Sequence, residues 1–550
     1  MGRPTPTRSV WARRRRSGRD RRRTARGGAL LGLDVGTSAV KAGLFTPDGA
    51  TLGLQRVALH SCSPRPAHRE IDAESVWSAV VVATRALMRS LPGREVVAIG
   101  VAAASPTPVV ADRDGRVLSA VCTFADARSA ADVAELQTRI PAGTFERLTG
   151  NPVAVPTCSA LTARHLARSI RGRGPVRFGH LATFVVHRLT GCWVMDPTNA
   201  AYTGVLDISS PNRWSVQAAE MLGLDPLLLP QLAPSARAVG TLTPPAREQL
   251  GLPTAAVVTA GCADTAAAAL AVGCLQDGEA FESVGTSGVL TVCRDRPLEA
   301  LHAMNRPHVV PGRWLSHAAM SSSGAAVSWL CEQVMPDVPG GRDLAALSDL
   351  AASASPGSGG LVFLPYLAGE RSPVWDPEAR GAWVGMTLDT STADLARSVF
   401  EGSAYGLRQL IALECRVSGN TLSELVSVGG GTASAFWSSI KADVTGRVFH
   451  RARHGEVAAR GAALLAATAA GVHPDPATAA RAAVPVPTSR VEPTASAQTR
   501  AVYDEVYRAY EALYPALQPL FGPLQRAVGH ATTHDSAPLR TRKDSSCGSA

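Results

Sequence analysis

Aromatic residues are scarce, at 5% of the chain, so a stacking platform for single-stranded nucleic acid is not what this sequence builds. No apolar stretch is long and uncharged enough to span a bilayer. The small-residue runs near 262–275 and 463–471 are short or interrupted, and 29–33 is too short for the core of a signal peptide. The ten cysteines, at 62, 122, 158, 192, 262, 274, 293, 331, 415 and 547, form no CxxC pair and have no metal-ligand spacing with histidine. They read as free thiols of a cytoplasmic protein. No HExxH, no GxxxxGK[ST] and no GxGxxG opening a βαβ unit is present, which disfavours zincin, P-loop and Rossmann sites.

The net charge of +10 is local. Residues 1–27 hold eleven arginines and one aspartate, so the remainder is formally neutral. The basic character therefore belongs to an N-terminal arm (1–28), which reads as disordered because like charges repel and nothing apolar offsets its ordering entropy. Such an arm suits nonspecific contact with nucleic acid or acidic lipid, and an extended reading frame explains it equally well. Beyond the arm the sequence points to neither a membrane nor a nucleic-acid partner.

What the chain does have is size and core. Its 550 residues suffice for two or three domains, and 45% of them are apolar, with Ala, Gly and Val abundant. Ala29–Phe45 places apolar residues on both sides of Gly36-Thr37-Ser38, and Asp48-Gly49 follows as a hairpin signal. This predicts strand, turn, strand, turn, strand, then a helix at 74–90 and a buried strand at 96–103. About 250 residues later Val-Gly-Thr-Ser recurs at 284–287, again between apolar half-strands. The repeat suggests a duplicated α/β domain. In the second half, helices are expected near 320–334, 343–353, 391–416, 433–445 and 456–470. Leu425–Gly431 reads as a strand running into a glycine turn, 472–498 as an irregular connection, and 499–514 as a helix with Tyr503, Tyr507, Tyr510 and Tyr514 on one face as a packing seam.

Several groups carry possible chemistry. Asp34 ends a buried strand beside Gly36, Thr37 and Ser38, a turn whose amides and hydroxyls suit phosphate while the carboxylate suits Mg²⁺; Gly285, Thr286 and Ser287 repeat the turn. Lys41 is expected to face solvent. Asp264 follows the apolar strand 255–260 and is either an N-cap or a carboxylate that takes the proton of an attacking hydroxyl. Gly429, Gly430 and Gly431 suit a ligand lying against backbone, or simply a helix entry. Asp126 and Arg128 either clasp a polyol or pair with surface partners, and Glu370-Arg371 sits in a setting too specific for ordinary surface.

With these residues in view, the chain resembles the FGGY family of carbohydrate kinases over about 29–520. The strongest piece is Leu364-Pro-Tyr-Leu-Ala-Gly-Glu-Arg-Ser-Pro-Val-Trp-Asp-Pro-Glu-Ala-Arg-Gly-Ala-Trp383, supported by Glu70, Asp72 and Trp77, by Asp196-Pro-Thr-Asn-Ala200 with Asp207 and Trp214, and by Glu401-Gly402, Gly429–Gly431, Ala442-Asp443 and Gly461-Ala-Ala463. The resemblance is nearest to the xylulokinase-like branch. It implies an α/β fold of two actin-like (ribonuclease-H-like) ATPase domains with an interdomain cleft: a sugar-binding domain at 29–264, a nucleotide-binding domain at 265–520, and a disordered tail at 521–550. It also implies ATP and Mg²⁺ as cofactors, Asp34 at the metal, Thr37 and Ser38 on phosphate, Gly285–Ser287 as a second phosphate turn, Gly429–Gly431 against adenosine, and Asp264 as general base.

Substrate choice is where this sequence departs from the family. After strand 96–101 xylulokinases usually carry a Gly-Gln-Met-His-Gly type segment and glycerol kinases an Asn-Gln-Arg-Glu type. Here Ala102-Ala-Ala-Ser-Pro-Thr-Pro-Val109 leaves only Ser105 and Thr107 to hydrogen-bond. Phe124 stands where a tryptophan is usual, near Asp126, and Thr265 follows Asp264 in place of Asn or Gln. The expectation is phosphorylation of a small sugar or polyol, with a ketopentose such as D-xylulose first. Other pentuloses, a tetritol and gluconate follow, and glycerol is disfavoured because its charged clasp is absent. The competing class is a non-catalytic nucleotide sensor on the same fold. The sequence leaves oligomeric state open, a homodimer included.

Overall fold

The computed structural model describes residues 28–534 apart from 66, 171–175, 299–302, 337–342, 453–455, 484 and 487. The arm at 1–27 and the last part of the expected tail, 535–550, lie outside the described residues. The rest falls into two compact units, one built from 28–277, 293–315 and 456–486, the other from 278–292, 316–452 and 488–534. These bounds differ from one cut at 264/265, because helix and strand segments beyond that point pack back into the first unit. Among the described residues no helix is long and apolar enough to cross a membrane.

The first unit is organised by a sheet of β1 (Ala29–Val35), β2 (Ala39–Phe45), β3 (Thr51–Ala58), β4 (Val96–Ala103), β5 (Ala238–Thr241), β6 (Val257–Thr259) and β7 (Cys262–Ala263). Its order is β3-β2-β1-β4-β6-β5, with β7 also beside β4. β1 is buried along its whole length, apolar but for Asp34 near its end, as a central strand should be. It pairs antiparallel with β2 and parallel with β4. Helix α1 (Ala73–Ser90) covers part of the sheet and is capped by Asp72, which accepts from the Ser75 amide at 2.7 Å. Helices α2 (Asp264–Val272) and α3 (Val457–Ala469) complete the packing around the site.

Contact between α3 and the sheet is backbone against backbone. A Cβ on Gly32 of β1 would lie 1.8 Å from the Ala459 carbonyl oxygen, and one on Gly100 of β4 would lie 1.8 Å from that of Ala462. On the far side, a Cβ on Gly461 would lie 1.9 Å from the Ala267 oxygen of α2. No side chain fits at any of the three points.

The second unit repeats the plan with β8 (Ala280–Val284), β9 (Gly288–Arg294), β10 (Trp314–Met320), β11 (Glu424–Val428), β12 (Val448–Ala452) and β13 (Thr488–Val491), in the order β10-β9-β8-β11-β12-β13. In both sheets the opening hairpin is antiparallel, the next two strands add in parallel, and the last is antiparallel. The duplication read from the repeated turn is thus present in the topology.

Two expectations need correction. The segment 472–498 holds a helix, Pro476–Ala482, and the edge strand β13; its Pro-, Ala- and Thr-rich composition hid a strand whose order comes from pairing with β12. The last helix, α4 (Ala497–His534), does not stop at 514, nor does disorder begin at 521. Pro515 reads as a terminator, yet Pro515, Pro519 and Pro523 fall four apart on an exposed face, where solvent can satisfy the carbonyls they free. Phe521, in turn, is buried at 4% exposure. The tyrosine seam is as expected: Tyr503, Tyr507 and Tyr510 are buried around Tyr405, with ring centroids 5.7–6.4 Å away.

Inserting a methyl at the α3 seam has a calculable cost. Gly32→Ala and Gly100→Ala should each destabilise the protein by about 3 kcal/mol, read as a lowered denaturant midpoint. Gly430→Ala, with nothing within 4 Å of the added Cβ, should leave the midpoint unchanged.

Candidate active site

Parallel pairing brings the carboxyl ends of β1, β4 and β7 to one edge of the first sheet. Asp34 is in register with Ala102, which pairs with Cys262; Val35 is in register with Ala103, which pairs with Ala263. The next residue is Asp264, at the start of α2. The crevice outside such strand ends is where α/β sheets bind ligands.

Two carboxylates therefore share this edge. Asp34 is 8% exposed, and burial raises its pKa, while Lys41 pulls it down and Glu456 adds to the rise. Lys41 does not simply face solvent: its Nζ lies 3.2 Å from Asp34 Oδ2, because both are carried on the same face of the β1–β2 hairpin in directly paired positions. Burial, then the charge of Asp34, pushes Asp264 up to about 6, against hydrogen bonds from Thr265 that lower it. Asp264 is not a conventional N-cap, since Ala263 holds that position and the carboxylate reaches only the adjacent amide. Its Oδ1 accepts from Thr265 N (2.7 Å) and Thr265 Oγ1 (3.1 Å). No group among the described residues takes Oδ2, which leaves it open to a substrate hydroxyl.

The turn Gly36-Thr37-Ser38 is closed by Gly36 N donating to Ala39 O at 3.0 Å, and no described group takes the Thr37 or Ser38 hydroxyl. In the second unit Gly285 and Thr286 are exposed. There the turn carbonyls are held from beneath: Gly324 N donates to Gly285 O (3.0 Å), while Ser323 N and Ala325 N donate to Thr286 O (3.1 and 2.9 Å). The glycines at 429–431 divide by role. Gly429 has φ +96°, and a Cβ there would meet the Val284 carbonyl at 2.6 Å; Gly431 backs onto Val284 and Trp437; Gly430 faces open space. Beneath them lies a buried ion pair of Lys441 and Glu282, joined by Ser427 Oγ donating to Glu282 at 2.5 Å.

The expected substrate contacts separate in the same way. Ser105, half-buried two residues beyond β4, donates its hydroxyl proton to Asn199 Oδ1. Thr107 is fully buried and occupied by backbone, donating to Ala104 O (2.7 Å) and accepting from Leu181 N (3.3 Å), so it is not a substrate contact. Asp126 is withdrawn as well. Its oxygens take Arg69 N (2.8 Å) and Arg128 N (3.2 Å), Nε (2.8 Å) and Nη2 (2.7 Å), and Arg128 also reaches Glu70 at 2.5 Å. Asp126 and Arg128 do pair, but with each other, and Arg128 with Glu70, in the interior rather than at the surface. Phe124 stays 38% exposed.

Sequence reasoning missed the layer under this edge. Asp196 caps the short helix Pro197–Ala200 and is fully buried with Thr198 and Asn199; the Asp-Pro-Thr-Asn string announces the cap but not its neighbours. His180, fully buried, bonds Ser159 through Nε2 (2.9 Å), and burial pushes it down to about 3, so its ring is neutral. The motif at 364–383 is held within the second unit: Glu370 Oε1 accepts from Ser321 N (2.6 Å) and Arg371 N (2.7 Å), burial raises it to about 7, and Trp383 stacks on Trp329 and tilts against Phe363.

Among the described residues no group of three or more His, Cys, Asp and Glu could cage a metal ion. Asp34 and Asp264 instead offer two carboxylates at one edge, a donor set that fits Mg²⁺ arriving with phosphates, since this ion keeps few protein ligands.

Comparisons with known proteins agree with this geometry. Residues 29–271 match the N-terminal domain, and 280–470 the C-terminal domain, of the FGGY family of carbohydrate kinases. The chain is 30% identical to the xylulose kinase of Escherichia coli strain K12 over 80% of its own length and 90% of that protein, and 30% identical to the glycerol kinase of Dechloromonas aromatica over 81% and 90%. A crystal structure described as a xyloylose kinase from Brucella ovis superposes with a TM-score of 0.80 at 30% identity, covering 90% of this chain and all of that one. A two-domain ATPase topology, a carboxylate pair at the strand ends and matches over both halves together show that the chain belongs to the FGGY family of carbohydrate kinases and is a phosphotransferase.

Proposed function

We propose that this kinase transfers the γ-phosphoryl group of ATP to a hydroxyl of a small sugar or polyol, with a ketopentose such as D-xylulose as the leading acceptor. The observation that carries the reading is Asp264, a carboxylate at the strand-end edge with one oxygen free and a pKa near 6. At neutral pH it is ionised, yet it is more basic than an ordinary aspartate, as a general base should be.

In this mechanism Asp264 Oδ2 takes the proton of the acceptor hydroxyl as that oxygen bonds to the γ-phosphorus. The bond from the γ-phosphorus to the β–γ bridging oxygen breaks, and ADP leaves. Asp34 would hold Mg²⁺, which neutralises phosphate charge when bound. Gly36, Thr37 and Ser38 supply amides and hydroxyls to phosphate, Gly285, Thr286 and Ser287 form the second phosphate turn, and Gly429–Gly431 lie against the adenosine. On the acceptor side, Ser105, Phe124 and Thr265 remain available. The non-catalytic alternative requires the loss of Asp264 or of the two turns, and all three are intact.

Similarity to the xylulose kinase of Escherichia coli supports the ketopentose. The equally similar glycerol kinase carries less weight, because the small residues at 102–109 provide no charged clasp for glycerol. A cytoplasmic setting is supported by the cysteines of the described residues, nine in number, which form no disulfide and of which six are buried.

Asp264→Asn should lower ADP release with the preferred acceptor by about 10²–10⁴-fold while ATP binding persists. The wild-type kcat/KM should rise with pH through about 6 and level off above it, because the base must be ionised. Thr265→Val, which removes a donor to Asp264, should move that acid limb to higher pH. Gly430→Ala should raise KM for ATP without loss of stability, whereas Gly429→Ala should destabilise the fold; nucleotide titration and thermal denaturation separate the two.

A further inference from the structure

The hydrogen bonds under the acceptor edge run in only one direction. Asp196 is fully buried, and its Oδ1 accepts from two backbone amides, Thr198 N (2.8 Å) and Asn199 N (3.2 Å), and from Thr198 Oγ1 at 2.5 Å. Ser235 Oγ donates to the same oxygen from 3.4 Å. A group facing that many donors is an acceptor. Asn199 therefore turns its Nδ2 toward Asp196 Oδ2, at 2.5 Å, and its carbonyl oxygen is left pointing the other way.

That carbonyl meets the Ser105 hydroxyl. An amide oxygen can only accept, so the single proton of Ser105 is committed to Asn199, and what Ser105 has left is lone pairs. No other side chain of 102–109 changes the balance: residues 102–104 are alanines, and Thr107 is occupied by backbone. The opposite arm of the network is just as fixed. Ala263 N donates to Thr198 Oγ1 at 2.7 Å, which forces the Thr198 proton onto Asp196. Ala263 immediately precedes Asp264, so one buried carboxylate orients both the backbone leading into Asp264 and the Ser105 hydroxyl.

We infer that Ser105 offers the substrate an acceptor and no proton, so that the site takes a compound presenting a hydroxyl at that point and disfavours one presenting a carbonyl or carboxylate oxygen there. Asp196 and Asn199 are positioning residues that set this polarity. The inference rests on the kinase reading for its choice of ligand, and it deepens that reading: a ketopentose satisfies Ser105 with one of its hydroxyls, and an aldonate carboxylate does not.

The test uses the full chain and calorimetry without nucleotide, with ADP release followed in parallel. Xylitol, ribitol, D-xylulose, D-ribulose and gluconate are titrated into wild type, Ser105→Ala, Ser105→Thr and Asn199→Leu. Ser105→Ala should weaken the tightest ligand about tenfold, with KM rising by a similar factor and kcat within about twofold; Ser105→Thr should restore most of the affinity. Asn199→Leu, which cannot accept, frees the Ser105 proton and should shrink the preference for polyols and ketopentoses over gluconate about tenfold. Should Asn199→Leu fail to fold, the ligand order in wild type decides: gluconate binding as tightly as the polyols and ketopentoses overturns the inference. Unchanged affinity in Ser105→Ala, or binding of none of the five compounds to wild type, overturns the inference. Tight polyol binding lost in Ser105→Ala, with no ADP release by wild type, supports the inference while overturning the phosphotransfer reading.

Discussion

A carbonyl oxygen sitting where a side chain would begin leaves a protein no room to adjust. Helix α3 meets β1 and β4 in this way at Gly32 and Gly100, and meets α2 at Gly461. Such close-packed backbone contacts transmit position because nothing compressible lies between them. The two strands so fixed end in Asp34 and in the 102–105 segment, and α2 begins with Asp264. Glu456, at the entry to α3, is close enough to add to the rise in the Asp34 pKa. The relative placement of the two carboxylates is thus set by three glycines rather than by contacts between the carboxylates themselves.

The duplicated sheets share a topology but not a chemistry. When Val35-Gly-Thr-Ser38 is laid over Val284-Gly-Thr-Ser287, Asp34 corresponds to Ser283 and Lys41 to Leu290. The second copy keeps the turn and loses its carboxylate. Its charges lie instead in the interior, where Glu282 and Lys441 pair beneath the glycine turn, with Trp437 and Phe449 on either side of the ammonium. Buried pairs of this kind are costly to break, which fits a role in holding β8 and β11 in place under Gly429. The strand-end carboxylates are concentrated in one copy, and the other retains backbone turns.

Much of this was legible in the sequence because it depends on local pattern. The apolar runs around Gly36 and Gly285 fix both hairpins, and a carboxylate after an apolar strand marks Asp264. Other features depend on distant partners and leave no local trace. Thr107 looks like a free hydroxyl until Leu181, 74 positions on, claims it, and Asp126 like a polyol contact until Arg69, 57 positions back, donates to it. The string at 196–199 shows its own cap but not its wider ties, since Ser105, bonded to Asn199, and Ala263, bonded to Thr198, lie 94 and 65 positions away. Strand β13 was hidden for the same reason: its order comes from β12, not from its own composition.

The first unit is assembled from three separate stretches of chain, the last beginning at Glu456. A ribosome delivers the N-terminal end first, at about 5–20 residues per second, so β1 and β4 are synthesised on the order of ten seconds or more before α3. During that interval the glycine-lined face at Gly32 and Gly100 has no helix to cover it. Strands β8 to β12 of the second unit emerge in between, while its edge strand β13 and helix α4 follow α3. Synthesis order and spatial order are therefore opposed in the first unit: the strands that carry Asp34 and the 102–105 segment are made first and the helix packed against them last.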